Sequence, residues 1–412
     1  MVNESQPYRT SYHFQPPKNW LNDPNGPMLY KGLYHLFYQY NPNSALFGDG
    51  MVWAHSVSYD LINWVHLNHA LHPTEPFDIK RNKPVILYTG IDANNTQVQN
   101  LAMPKNLSDP LLKEWIKFSQ NPVITPPIGI EGDHFRDPTT AWLGADGKWN
   151  VIIGSSINDQ GMAILYQSDD FVNWSRYQDP LYSKEKTGMW DTNGVDTSVI
   201  NPGVKHVMKA SFNSHDYYMI GTYVPGMEKY IPDTDFTGSN TDLRYDYGKF
   251  YASKTFFDSV KDRRILWGWI NESDSAEDDI NKGWSGLQSI PRQVWLDRSG
   301  SQLVLWPVEE INKLHDKQVS IQHKKLDGGS VLEIPDITAS QIDHSIIESF
   351  GGEGRTCISS RVYPQLAVHK EAHLYVFNNG TQSINISRLN AWGMSKAQFI
   401  YEENCFSYKA SQ

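Results

Sequence analysis

The chain has 412 residues, a formal net charge of −10 and a pI near 5.8. Nucleic acid would meet a repelling field, and no cluster of Lys and Arg offsets it. Apolar residues make up 39% and charged residues 20%, a globular balance, and no apolar run approaches the ~20 residues that cross a bilayer, so nucleic acid and membrane are both set aside as partners.

Taken in order, the chain opens with MVNESQPYRTSYHF, which has neither a basic nor an apolar leader segment. Sequons nevertheless occur at Asn3, Asn94, Asn106, Asn173, Asn271, Asn379 and Asn385, so a secreted type whose leader is missing or already removed is expected. From residue 30 to 300 the pattern is of short strands rich in aromatic and β-branched residues. Examples are Tyr34–Tyr40, Val85–Thr89, Trp149–Ile153, Tyr217–Thr222 and Ile265–Ile270, separated by Gly, Asn, Asp and Pro. Asp146-Gly147 predicts a hairpin turn between Ala141–Leu143 and Trp149–Ile153. Lys105–Lys117 is the best helical segment, limited by Pro110.

The stretches HSVSYDLINW (His55–Trp64) and LYQSDDFVNW (Leu165–Trp174) share S-x-D-[L/F]-x-N-W, and Phe250–Asp258 is a looser third copy. Repeated strand-rich units with an aromatic signature predict a β-propeller. Beyond about Lys313 the alternation in Ser330–Ile334, Arg361–Tyr363 and His373–Phe377 predicts a short β-sandwich. The expected organisation is all-β, with a propeller over 1–312 and a sandwich over 319–412. The 14 His residues are scattered, the two cysteines (Cys357 and Cys405) sit in no zinc spacing, and no HExxH occurs. No metal and no cofactor are therefore expected. Whether the two cysteines pair is open at this level.

Two segments carry chemistry. Trp20–Pro27, WLNDPNGP, is dense in turn formers and could be only a tight loop. It also holds Asp23 fixed at a strand end beside Trp20, as a carbohydrate nucleophile requires. Phe135–Thr140, FRDPTT, repeats the Asp-Pro element, with Arg136 beside Asp137 to keep the carboxylate ionised as an acceptor for hydroxyl groups. A structural ion pair is the plain alternative there. The aromatic content, 13% with 14 Trp and 22 Tyr, suits stacking on sugar rings as well as a β core.

Together with FYQYNP (Phe37–Pro42), VWAHSVSYDLINW (Val52–Trp64), DYGKFYASKTFFD (Asp246–Asp258), IPRQVWLD (Ile290–Asp297) and GRTCISSRVYP (Gly354–Pro364), these segments resemble the plant invertases and fructan exohydrolases of glycoside hydrolase family 32. The resemblance implies a five-bladed propeller, a β-sandwich, and retaining hydrolysis of terminal β-fructofuranosyl bonds in sucrose or fructans. It implies Asp23 as nucleophile and Asp137 as transition-state stabiliser. Trp20, Asn22, Gln39, Phe47, Trp53 and Arg136 would bind the substrate, and Asp246 with Lys249 would recognise sucrose. By the same resemblance the protein belongs to the cell wall or the vacuole, with a proteinaceous invertase inhibitor as a further partner.

The chain departs from the family in blocks. The family's acid/base Glu lies in W-E-C-[P/V]-D; here Gly188–Val195 reads GMWDTNGV, and Asp191 is the one carboxylate that could replace the Glu. A W-S-G-S block is missing after Phe77–Ile79, Phe47 stands where Trp is usual, and the sandwich is shortened near Pro335–Gln341. A retaining glycosidase needs an acid/base carboxyl beside its nucleophile, and its loss costs about 10²–10⁴-fold. Weak or absent sucrose hydrolysis and reduced stability are expected. A non-catalytic sugar-binding or regulatory relative, and a splice or gene-model variant, are the competing readings. An arabinan-cleaving glycosidase is disfavoured by the wording of the two Asp-Pro segments.

Overall fold

The computed structural model describes residues 6, 8–71, 84–200, 203–338, 343–365 and 373–401. The expectations on Phe77–Lys83, on the stretch around Ser340-Gln341, on Cys405 and on the sequon at Asn3 lie outside these residues.

The chain folds as a β-propeller followed by a β-sandwich. Among the described residues five sheets succeed one another between Asn19 and Pro307, with five, three, six, four and five strands from this stretch. Burial alternates weakly, because both faces of these sheets are covered. Leu33–Asn41 is buried at every position but Gln39. The largest core packs Phe14, Leu36, Tyr38, Trp64 and Trp267 between the first and last sheets of the propeller. After a 3₁₀ turn at Glu309–Leu314 come three two-stranded sheets. One of them, Ile346–Gly351 with Thr356–Arg361, sends Ile346 and Cys357 into a propeller core. The sandwich's own core is small: Ile334 and Ala391 are buried, with partly buried Val319, Leu332, Leu374 and Leu389 around them. Phe399–Tyr401 then returns to the propeller and pairs in parallel with Trp64–His66.

The S-x-D-[L/F]-x-N-W repeat has a local cause. Asp60 accepts backbone N–H groups from Ile62 (3.1 Å) and Asn63 (2.8 Å). Asp170 accepts the same pair from Val172 (2.9 Å) and Asn173 (2.8 Å). Trp64 and Trp174 each donate the indole N–H to the carbonyl three residues earlier, 3.0 and 3.1 Å. Leu61 and Phe171 take φ of 66° and 70°, a strained conformation that the Asp clamp offsets. Asp258 closes the third copy by accepting from Val260 (3.2 Å) and Lys261 (3.3 Å). The motif is thus the turn that ends a propeller strand.

The hairpin at Asp146-Gly147 forms, with Leu143 opposite Trp149 and Gly147 at φ 79°. The expected helix at Lys105–Lys117 does not form. Asp109 spends its carboxylate on the N–H groups of Leu111 and Lys113, Leu112 turns left-handed at φ 46°, and Trp115–Lys117 joins Gln97–Pro104 as a strand. Trp115 gains a contact edge-on to Phe37, 5.5 Å between centroids, and tertiary packing overrides helical propensity. The helix that does form, Ala276–Lys282, starts at a Ser275/Asp278 capping box and ends at Gly283 in the left-handed region, φ 74°.

Candidate active site

Backbone bulges aim the functional side chains. In the first sheet Leu21 faces Tyr40 and Pro24 faces Tyr38, so Asn22 and Asp23 together oppose Gln39. The extra residue turns Asp23 out of the strand's alternation. Asn22 is the hub: it accepts from the Trp20 indole (2.8 Å) and donates to Gln39 (2.5 Å) and Asp23 (3.1 Å). Its carbonyl takes the Gln288 amide at 2.8 Å. Similar bulges follow Asp191, between Thr192 and Val195, and Tyr251, before Lys254. Asp137 ends the short strand Phe135–Arg136 at φ 62°, a conformation Asp tolerates, and its N–H is tied to the Thr89 hydroxyl at 2.9 Å.

Asp191 begins the fourth sheet directly after Trp190. That indole is fully buried against Phe212 and Phe236 and donates to Thr187 at 2.8 Å. The anchor fixes where Asp191 emerges. Its Oδ1 accepts Arg136 Nε at 2.6 Å and its Oδ2 accepts the Tyr251 hydroxyl, also at 2.6 Å.

Three aspartates from three sheets therefore converge. Burial, then the charges of Asp137 and Asp191, pushes the Asp23 carboxyl up to about 7, against a small opposing pull from the Asn22 amide. Burial and Asp191 push Asp137 up to about 6, opposed by Lys254, Arg136 and Lys209. Burial holds Lys254 down at about 8 although Asp137 pulls the other way. Burial also lowers Lys209, which is paired with Asp216 at 3.2 Å. Burial alone would lower Arg136; the Asp191 and Asp137 charges outweigh it and raise the guanidinium. Asp216 itself fixes the inner end of the fifth sheet, accepting from Ser211 (2.6 Å), Ala252 N (3.1 Å) and Ser253 N (2.8 Å).

Gln39, Asp137 and Lys254 line one side of a cavity of about 540 Å³ whose other walls include Trp53, Tyr88 and Trp115; Asp23 and Asp191 lie off its lining. On another side is an aromatic rim. Trp269 lies opposite Tyr251 in register, Trp20 stands edge-on to Trp269 at 5.6 Å, and Phe47 edge-on to Trp20 at 6.1 Å. Phe47 is 65% exposed.

The structure thus gathers Trp20, Asn22, Asp23, Gln39, Phe47, Trp53, Arg136, Asp137 and Asp191 around one centre. It does not bring Asp246 there. That carboxylate is buried at the seam with the sandwich, paired to Arg292 at 2.9 Å and accepting from Gly248 N (2.8 Å), Ser359 N (2.9 Å) and the Ser359 hydroxyl (2.8 Å). Its acceptor positions are spent, so the expectation that it meets a sugar hydroxyl is corrected. Nor is Lys249 its partner; Lys249 reaches the Glu272 carbonyl at 3.4 Å. Sequence reasoning missed Tyr251, Lys254 and Lys209. Tyr251 and Lys254 lie inside the quoted DYGKFYASKTFFD, but nothing local distinguishes them from core strand residues. Two acidic clusters, Glu131/Asp133/His134 and Glu272/Asp274/Asp279, have metal-like spacing; in the second, Lys282 already reaches all three carboxylates.

The glycosyl hydrolases family 32 N-terminal domain matches residues 13–307, and the family 32 C-terminal domain matches residues 340–393. The chain belongs to glycosyl hydrolase family 32, and is by family a glycoside hydrolase. Among its relatives, the Arabidopsis thaliana β-fructofuranosidase insoluble isoenzyme CWINV1 is 44% identical, over 96% of this chain and 92% of the relative. Fructan 6-exohydrolase of Beta vulgaris is 42% identical, over 97% and 88%. The crystal structure of fructan 1-exohydrolase IIa from Cichorium intybus superposes with a TM-score of 0.93 at 45% identity, covering 96% of this chain and 99% of that one. The alignment with the Arabidopsis isoenzyme runs over 536 positions against 412 residues, so at least 124 positions have no residue of this chain opposite them.

Proposed function

We infer that the chain is a retaining β-fructofuranosidase acting on terminal β-fructofuranosyl bonds of the sucrose and fructan type. In this reading Asp23 attacks the anomeric carbon, Asp137 accepts hydrogen bonds from the fructosyl hydroxyls, and Asp191 stands in the place of the acid/base Glu. The observation that carries it is the convergence of Arg136 and Tyr251 on Asp191 beside Asp23 and Asp137. Arg136 bonds to Asp191 at 2.6 Å and lies within electrostatic reach of Asp137, which puts a sugar ring held against Asp137 in the neighbourhood of Asp191. Asp191 is one methylene shorter than Glu, and a displacement of about 1 Å costs on the order of 100-fold, so turnover of sucrose is slow.

The second sheet, three-stranded among the described residues, counts in this reading as a blade, and with the other four sheets it gives five blades. Relatives named insoluble and cell wall isoenzymes support a place outside the cell; a vacuolar address and a proteinaceous invertase inhibitor as partner rest on the family resemblance alone.

The test is fructose release from sucrose and from 1-kestose by the purified chain, with Asp23→Asn as control. Slow release that the control abolishes is the expected result. Calorimetric binding of sucrose with no fructose formed over days would overturn the enzymatic reading.

A further inference from the structure

Retaining hydrolysis asks two different things of the second carboxyl. In the first half-reaction it must donate a proton to the departing oxygen; in the second it must take a proton from water. In this chain both oxygens of Asp191 already accept, one from Arg136 Nε and one from the Tyr251 hydroxyl, each at 2.6 Å. Side-chain exposure is 15% for Asp191 and 31% for Arg136, so the pair is partly buried yet still reached by water. With both oxygens turned to donors, Asp191 holds no proton aimed at the leaving oxygen, while a free lone pair on each oxygen can still accept one from water. The two half-reactions are therefore unequally served.

We propose that this site cleaves β-fructofuranosides whose leaving group departs as a stable anion, aryl β-fructofuranosides foremost, because Arg136 and Tyr251 hold Asp191 as an acceptor. The proposal rests on the reading of Asp23 as nucleophile. In the first step Asp23 Oδ bonds to the anomeric carbon as the bond to the aryl oxygen breaks, and the electron pair leaves with the phenolate. No proton is required. In the second step water attacks the anomeric carbon, its proton passes to Asp191, and the electron pair of the ester returns to Asp23. Sucrose lacks such a leaving group, since its glucosyl oxygen would have to depart as an alkoxide.

The surroundings fit the same class. Beside Tyr251 the rim is built from Trp269, Trp20 and the exposed Phe47, flat faces that stack on an aromatic ring. The polar pair expected to hold a glucosyl ring is not assembled, Asp246 being spent on Arg292 and Ser359.

The experiment compares kcat/KM for sucrose and for a series of aryl β-fructofuranosides, from the para-nitrophenyl to the unsubstituted phenyl compound. The expected result is a preference for the para-nitrophenyl substrate over sucrose of about 100-fold or more, with a rate that falls steeply as the phenol becomes less acidic. In Asp191→Asn the first equivalent of phenolate should still be released, as a burst, while steady turnover slows at least about 10-fold, and azide should restore it. Equal kcat/KM for sucrose and the aryl substrate, with no dependence on the phenol, would overturn this proposal and leave Asp23 as nucleophile standing. No phenolate released by wild type from any substrate of the series would remove Asp23 as nucleophile and both readings with it.

Discussion

Two buried clusters in this molecule, each built of carboxylates beside cationic side chains, behave in opposite ways. At the seam between propeller and sandwich, Asp343 accepts from the backbone N–H groups of Ser11, Tyr12 and His13 and from the His13 ring at 2.7 Å. Glu348 accepts from Ile290 N and Arg292, both at 2.8 Å. Burial alone would raise both carboxyls, but these donors outweigh it: Asp343 is driven far below the usual carboxylate range and Glu348 down to about 2. In the active site Asp23 has one donor, the Asn22 amide at 3.1 Å, and the Asp137 carboxylate has none among the described residues. There burial and mutual repulsion win, and both rise. Donor count, not composition, decides the sign. The seam spends its hydrogen bonds on stability, while the active site leaves acceptors open for a substrate's hydroxyls.

The largest expected effect breaks the active side of this contrast. Asp23→Asn should abolish fructoside cleavage, by about 10⁴-fold or more in kcat, measured by fructose or phenolate release. The same change should stabilise the fold at alkaline pH, because it removes a buried carboxylate that has little compensation. A drop in Tm at pH 8 would contradict that account.

On the seam side, Arg292 is fully buried and bridges Asp246 to Glu348. Arg292→Met strands two buried carboxylates and should cost roughly 3–5 kcal/mol in urea unfolding. A loss below about 1 kcal/mol would show that the seam network does not hold the two modules together. Smaller is the gain from lengthening the stand-in acid: Asp191→Glu should raise sucrose turnover by about 10-fold to 100-fold. An unchanged rate would place the limit on sucrose turnover elsewhere than in the length of this side chain.

The smallest and most diagnostic effect is on pH dependence. Asp23 and Asp137 are raised from 3.8 to about 7 and about 6, so between those limits the folded state binds more protons than the unfolded state. Their contribution falls as pH rises across that window. His13 is raised from 6.5 to about 9, because its bonds to Asp343 and Glu348 outweigh burial. Its contribution is complete below 6.5 and is lost as pH rises to about 9. Stability should therefore decline in two stages, the lower flattened by Asp23→Asn and the upper by His13→Gln. A single stage that both variants leave unaltered would undo the assignment.

The sequence by itself determined the local chemistry. The S-x-D turn is legible because Asp60 and Asp170 bond to residues two and three positions on. WLNDPNGP and FRDPTT are legible because turn formers around a carboxylate fix it within a few residues. The strands and the Asp146-Gly147 hairpin belong to the same class. Only the tertiary structure decided which distant groups meet. Tyr251 reaches Asp191 across 60 residues of sequence, and Asp343 reaches His13 across 330. No local pattern separates Asp246, spent at the seam, from an Asp that faces a sugar. The same holds for Trp115, whose helical segment became a strand because Phe37 offered its ring a place. A side chain's role depends on how many donors surround it, and in a propeller those donors come from other sheets.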